Sequence, residues 1–139
     1  MSSVQSELMA VCTRNAAGTD QLDRDLMLSA FHPDGKLIVP SIDFVAKGHE
    51  ELGKLIDLQA GFDKTLHFIG NSRFEVGESG DAATGDIYVL AHHLKDGKVR
   101  VSAIRYNDVY SRRDGEWRLD ERTVNIDWNH VHDTIESVL

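Results

Sequence analysis

The sequence predicts an α+β domain: a cone-shaped, strongly curved sheet, mixed or largely antiparallel, wrapped around N-terminal helices. Three observations predict it. Apolar residues recur at helical spacing as far as Ala60, the period then changes to two over four long segments, and two of the three joints between those segments contain Asp-Gly. Asp-Gly between alternating runs marks a hairpin, because both central residues of the tight turn must adopt positive φ. A cone closed at one end by helices has an interior, and an interior with a few placed polar groups is where a small molecule binds.

The elements follow in order. Val4, Leu8, Val11 and Asn15 recur at helical spacing, with Met9, Cys12 and Ala16 widening the stripe, so a first helix runs to about Gly18. Asn15 shares the stripe with the valines, which suits a face that lines something wet. A second helix is expected from Leu22, stopped by His32-Pro33-Asp34-Gly35. Lys36 to Val39 and Phe44 to Ala46 read as short strands. A third helix opens at Gly48 and carries Leu52, Leu55, Ile56 and Gln59 at i, i+3, i+4 and i+7. Then come the extended segments Thr65 to Val76, Ala82 to Leu94, Val99 to Arg112 and Glu116 to Trp128. The tail from Asn129 is expected to be a short helix or frayed.

Length and charge narrow the function. One domain spanning residues 1–139 is expected, with no linker and no repeat. No apolar run approaches a membrane span and the first residues lack the pattern of a secretory signal, so the cytoplasm is the expected compartment. A formal charge of -8, spread along the chain, repels phosphate backbones and anionic membranes, and the only dense basic run is Ser111-Arg112-Arg113. Neither nucleic acid nor membrane is an expected partner. The one cysteine, Cys12, permits no internal disulfide and no paired-thiolate zinc site, and reads as a small buried hydrophobe.

The polar residues of the sheet carry the functional question. Alternation puts Thr65, His67 and Ile69 on one face; it puts Arg122, Val124 and Ile126 on one face of the last strand, with Trp117, Leu119 and Glu121 opposite. Both faces carry apolar residues, so both are expected to be covered, one by helices and one by another subunit. Asp20 lies in the connection between the first two helices, where it is either a helix cap or a functional acid. His67 is either a core histidine bonded to backbone or a functional base. Arg122 is either a half-exposed strand residue paired with Asp120 or Glu121, or a cation facing the interior. His92, His93, His130 and His132 form no helical His-x-x-x-His pair, and no metal is expected. Ser102 lacks a nucleophile elbow, and there is no glycine-rich phosphate loop.

Several segments in this order resemble the SnoaL-like family of the nuclear transport factor 2-like superfamily over nearly the whole chain. They are Asp20-Gln21-Leu22-Asp23, Phe31-His32-Pro33-Asp34, Leu66-His67-Phe68-Ile69-Gly70-Asn71, Asp81-Ala82-Ala83-Thr84-Gly85, Tyr106-Asn107-Asp108 and Asp114-Gly115-Glu116-Trp117-Arg118-Leu119 with Glu121-Arg122. Within that superfamily the chain resembles hexachlorocyclohexane dehydrochlorinase, scytalone dehydratase and bile-acid 7α-dehydratase. The resemblance implies a cofactor-independent lyase or isomerase in which Asp20 and His67 form a dyad that removes a proton from carbon and Arg122 assists. Where the dehydrochlorinase has a lysine five residues before its aspartate, this chain has Asn15, so no cation stands there. The expected substrate is small and largely apolar, in a pocket formed by Asn15, Thr65, Ile87, Val89, Ser102, Tyr106, Val124 and Ile126. The resemblance also implies a homodimer or homotrimer. Two other readings of the fold stand beside this one: a binding or dimerising module without catalysis, and a polyketide-cyclase-like aldol catalyst using a lone aspartic acid.

Overall fold

The computed structural model describes residues 3–135. Among these the chain forms three α-helices, α1 (Val4–Asp20), α2 (Arg24–Leu28) and α3 (Gly48–Gln59), and six strands. The strands are β1 (Phe31–Val39), β2 (Phe44–Lys47), β3 (Lys64–Val76), β4 (Ala82–Lys95), β5 (Lys98–Arg113) and β6 (Glu116–Asp133). They make one mixed sheet in the order β2-β1-β6-β5-β4-β3, with β1 parallel to β6 and every other pair antiparallel. The expected α+β class with helices on one side of a curved sheet is what the chain adopts. No helix among the described residues is long and apolar enough to cross a membrane.

The turns follow from their chemistry. Asp96-Gly97 and Asp114-Gly115 all take positive φ, between 49° and 80°, which matches the right-handed twist of the strands they join. The period of the apolar residues also survives: Leu8, Val11 and Cys12 of α1, and Leu52 and Ile56 of α3, are buried against Phe31, Ile87, Tyr110 and Leu119 of the sheet.

Four departures from the sequence reading have local causes. α1 does not stop at Gly18 but continues to Asp20, because Gly18 serves a close approach: a Cβ there would lie 2.3 Å from the backbone nitrogen of Met27. The helix then closes with the amides of Leu22 and Asp23 donating to the carbonyls of Thr19 and Gly18, and Leu22 takes the left-handed position (φ 56°) that glycine usually fills. α2 accordingly starts at Arg24, capped by the Asp23 side chain, rather than at Leu22. Thirdly, His32-Pro33-Asp34-Gly35 is not a helix stop; it is the irregular first half of β1, whose register against β6 slips between Phe31 and Lys36. Fourthly, Asn129 to Asp133 is neither helix nor frayed but the end of β6, paired with Ser102 to Lys98; residues 136–139 lie outside the described residues.

The most consequential departure is a break in parity on β6. Tyr110 pairs with Leu119 and Val109 with Glu121, leaving Asp120 as an extra residue, so Trp117 and Leu119 face the interior and, beyond the bulge, so does Arg122. Strict alternation puts those residues on opposite faces. A second bulge leaves Asp127 unpaired between Ile126 and Trp128. These bulges bend β6 around the helices and keep Val124 and Ile126 on the inner side.

The Gly18 contact is testable. Gly18→Ala is expected to lower stability by about 1–3 kcal/mol, since backbone and not a flexible side chain must give way. Urea denaturation followed by circular dichroism checks it, and an unchanged midpoint would show that the α1–α2 approach tolerates a methyl group.

Candidate active site

The site begins with an unfavourable placement. Asp20 is the last residue of α1, where the carbonyl end of the helix dipole disfavours negative charge, and the last turn contains no basic residue. The compensation comes from β3. Thr65 donates its hydroxyl to Asp20 Oδ1 (2.8 Å), the His67 backbone amide donates to Oδ2 (2.8 Å), and His67 Nδ1 donates to Oδ1 (2.7 Å). Burial pushes the carboxyl pKa up, but these bonds outweigh it and hold Asp20 below the ordinary carboxylate range. The carboxylate therefore accepts, and the proton on that side of the ring sits on Nδ1.

His67 lies on the wall of an interior cavity of about 260 Å³ bounded by α1, α3 and the inner face of the sheet. Its walls are mostly apolar, including Leu55, Ile104, Val124 and Ile126, with Asn15, Gln59, His93, Ser102 and Tyr106 as polar points. Of the residues expected to form the pocket, Asn15, Ser102, Tyr106, Val124 and Ile126 line it. Ile87 and Val89 do not: they share the inward parity of β4 but are packed in the core. Thr65 is also absent from the wall, and its hydroxyl is committed to Asp20.

Arg122 is not a cation facing this cavity. It is buried behind the wall and bonded through Nε and Nη2 to the two oxygens of Asp108, both at 2.8 Å. Burial alone would lower its pKa; the Asp108 carboxylate more than reverses this, and the guanidinium stays charged. The rest of the group holds the wall in place. Nη1 donates to Asn15 Oδ1 (2.9 Å), and the guanidinium carbon lies 3.9 Å from the centre of the Tyr106 ring. With its oxygen occupied by Arg122, Asn15 presents its amide NH2 as a donor. Burial raises the pKa of Tyr106, so its hydroxyl remains protonated. The Tyr110 hydroxyl donates to Asp108 and contacts Cys12 Sγ, which burial keeps as a thiol.

Sequence reasoning missed His93, Gln59 and the α3 wall. His93 is the direct partner of Thr65 across the β3–β4 ladder; its ring packs edge-on to His67 at 5.6 Å and tilted against Phe62 at 4.7 Å. Its Nδ1 is buried and has no hydrogen-bond partner among the described residues, as is the case for Gln59 Oε1. The available signal was parity: His93 lies two residues from Ala91 and four from Val89, on the inward set of β4. No group of three or more His, Cys, Asp or Glu side chains among the described residues is arranged to hold a metal ion.

Burial, with His67 and Arg100 nearby, pushes the His93 pKa down to about 4. The sign follows by linkage. Between pH 6.5, the ordinary value for histidine, and about 4, the unfolded chain binds a proton at this ring and the native chain does not, so native stability falls as pH is lowered through that window. Asp20 contributes in the same direction lower down, losing its share as pH falls below the ordinary carboxylate range. His93→Phe is expected to flatten the slope of unfolding free energy between pH 6.5 and about 4, as measured by urea unfolding at a series of pH values. An identical slope in wild type and variant would refute a neutral buried ring.

The comparisons with known proteins agree with this architecture. No curated protein sequence matches the chain. Among solved structures, hexachlorocyclohexane dehydrochlorinase LinA-type3 from Novosphingobium barchaimii LL02 superposes with a TM-score of 0.83 at 21% identity, covering 97% of this chain and 94% of that one. A putative scytalone dehydratase from Novosphingobium aromaticivorans DSM 12444 gives 0.80 at 18% identity, covering 96% and 89%. A protein of unknown function with a cystatin-like fold from Nostoc punctiforme PCC 73102 gives 0.75 at 23% identity, covering 88% and 90%. At these identities the likeness is one of fold. The family model for the SnoaL-like domain matches residues 2–123, and the chain belongs to that family.

Proposed function

We propose that the protein is a cofactor-independent lyase or isomerase that removes a C–H proton from a small, largely apolar substrate, with His67 as general base and Asp20 as its partner. The observation that carries this reading is the 2.7 Å bond from His67 Nδ1 to an ionised Asp20. With Nδ1 donating, the neutral ring has its lone pair on Nε2, on the cavity side. When the base takes a proton, the imidazolium meets a carboxylate already in contact, so charge separation in the transition state is stabilised locally. The electron pair left on the substrate develops as an enolate, or departs with a leaving group on the adjacent carbon. Asn15 and Tyr106 supply neutral donors for that charge. Arg122 acts through them as a positioning residue, its own charge being paired with Asp108.

The relatives fit this class. One solved neighbour is named a dehydrochlorinase and another a putative scytalone dehydratase, both elimination enzymes by name. The aldol reading requires a free aspartic acid, and Asp20 is held by three donors in its ionised form. The mostly apolar cavity is equally compatible with a carrier, so turnover is the decisive measurement. With 5-nitrobenzisoxazole as a probe of C–H deprotonation coupled to ring-opening elimination, His67→Ala is expected to lower kcat/KM by about 10²–10⁴-fold, and Asp20→Asn in the same direction. Wild-type protein without turnover, or variants that retain it, overturns the assignment.

The same reading includes self-association. On the outer face of the sheet Phe68, Leu90 and Trp128 are 62%, 44% and 61% exposed around a shallow apolar hollow, and a second or third copy of the chain would cover them. Phe68→Glu is expected to convert a homodimer or homotrimer into monomer in analytical ultracentrifugation; a wild-type monomer removes this part of the proposal.

A further inference from the structure

Arg100 on β5 is anomalous among the arginines. The chain has 23 acidic against 15 basic residues. Among the described residues, Arg24, Arg73, Arg105, Arg112, Arg113, Arg118 and Arg122 each hold a carboxylate at 2.7 to 2.9 Å, and Arg14 is bonded to Ser29. Arg100 has neither an acid partner nor a hydrogen bond among those residues. It is also the one permanently charged side chain on the wall of the His67 cavity. Its guanidinium carbon lies 5.8 Å from the centre of the Phe62 ring, and Phe62 packs on His93, the direct ladder partner of Arg100. That is a long cation–π contact, which does not take up the N–H groups of the guanidinium.

The geometry points to Arg100 as a specificity-determining residue: the substrate bears a carboxylate that docks on its guanidinium, while the apolar body of the substrate fills the cavity and presents a C–H to His67. The registers support that spacing. His67, Ala91 and Ser102 form one row across β3, β4 and β5, and Thr65, His93 and Arg100 form the next row on the same inward set, toward the Asp96-Gly97 end of the sheet. The cation is therefore two strands over and one pleat along from the base, close enough to orient a small substrate and too far away to protonate or bind the reacting carbon. A single planar cation with no second permanently charged residue on the wall matches a monoanionic, planar carboxylate better than a phosphate dianion. His93, uncharged between them, adds no competing positive charge beside the base.

This inference rests on the cavity being a substrate site, and it is read by binding, so its failure is distinct from failure of His67 as a base. Cyclohexanecarboxylate and cyclohexanecarboxamide are titrated into the full chain at low ionic strength by NMR. The carboxylate is expected to bind wild type about tenfold more tightly than Arg100→Gln, with Arg100→Lys between them, and the amide to bind all three alike. Arg100 is exposed and makes no hydrogen bond or ion pair among the described residues, so the substitutions are expected to leave the structure standing; matching amide spectra provide the check. Equal carboxylate affinity in wild type and Arg100→Gln, or no binding of the carboxylate to wild type, overturns the proposal.

Discussion

The interior of this protein is organised by a buried ion pair. Asp108 and Arg122, essentially without solvent access, lie where the packed core meets the cavity. Such a pair adds little net stability relative to apolar residues, yet removing either partner strands the other charge at a cost of about 3–5 kcal/mol. What it supplies is geometry. One carboxylate takes two guanidinium bonds and the Tyr110 hydroxyl, and the guanidinium goes on to fix Asn15 and support the Tyr106 ring. The core side of the pair is solid; the other side is the wall of the hollow.

That pair exists because of a single extra residue. Without the bulge at Asp120, the parity that buries Trp117 and Leu119 would turn Arg122 outward, where it would join the solvated ion pairs of the surface. Period-two reading of a sequence cannot detect such an insertion, since Asp120, Glu121 and Arg122 are all plausible surface residues. The same limitation hid the slip in β1 and made Asn129 to Asp133 look like a tail. By contrast, the helical stripes of α1 and α3 and the Asp-Gly turns were legible, because each is set by chemistry within a few residues. Gly18 was visible as a glycine but not as a contact; the residue it accommodates, Met27, belongs to another element.

The candidate site shows the same division between local and distant causes. On sequence alone Asp20 is either the cap of the second helix or a functional acid, and both stay open. The structure assigns the cap to Asp23, whose side chain accepts from the Leu26 amide, and so leaves Asp20 for Thr65 and His67, 45 and 47 residues away. The likeness to a known family placed Asp20 and His67 in one frame, whereas no local pattern could. It also suggested Arg122 as a cation facing the cavity, and there the position is right but the environment is not.

The resulting electrostatics bear on the proposed proton abstraction, which would leave negative charge on the substrate. The permanent cation nearest to Asn15 is sequestered by Asp108, Asn15 itself is neutral, and His93 is held uncharged. In the proposed reaction, stabilisation would depend on oriented dipoles, the Asn15 amide and the Tyr106 hydroxyl, in a mostly apolar cavity. Dipoles in such surroundings need no reorganisation as charge develops, and they bind a neutral ground state without trapping an anion there. A free cation beside the reacting carbon would attract the carboxylate of an anionic substrate to the wrong end of the cavity. Keeping Arg122 paired leaves Arg100 as the one permanent cation of the wall, so the proposed roles in orientation and in proton abstraction fall at different ends of the same hollow.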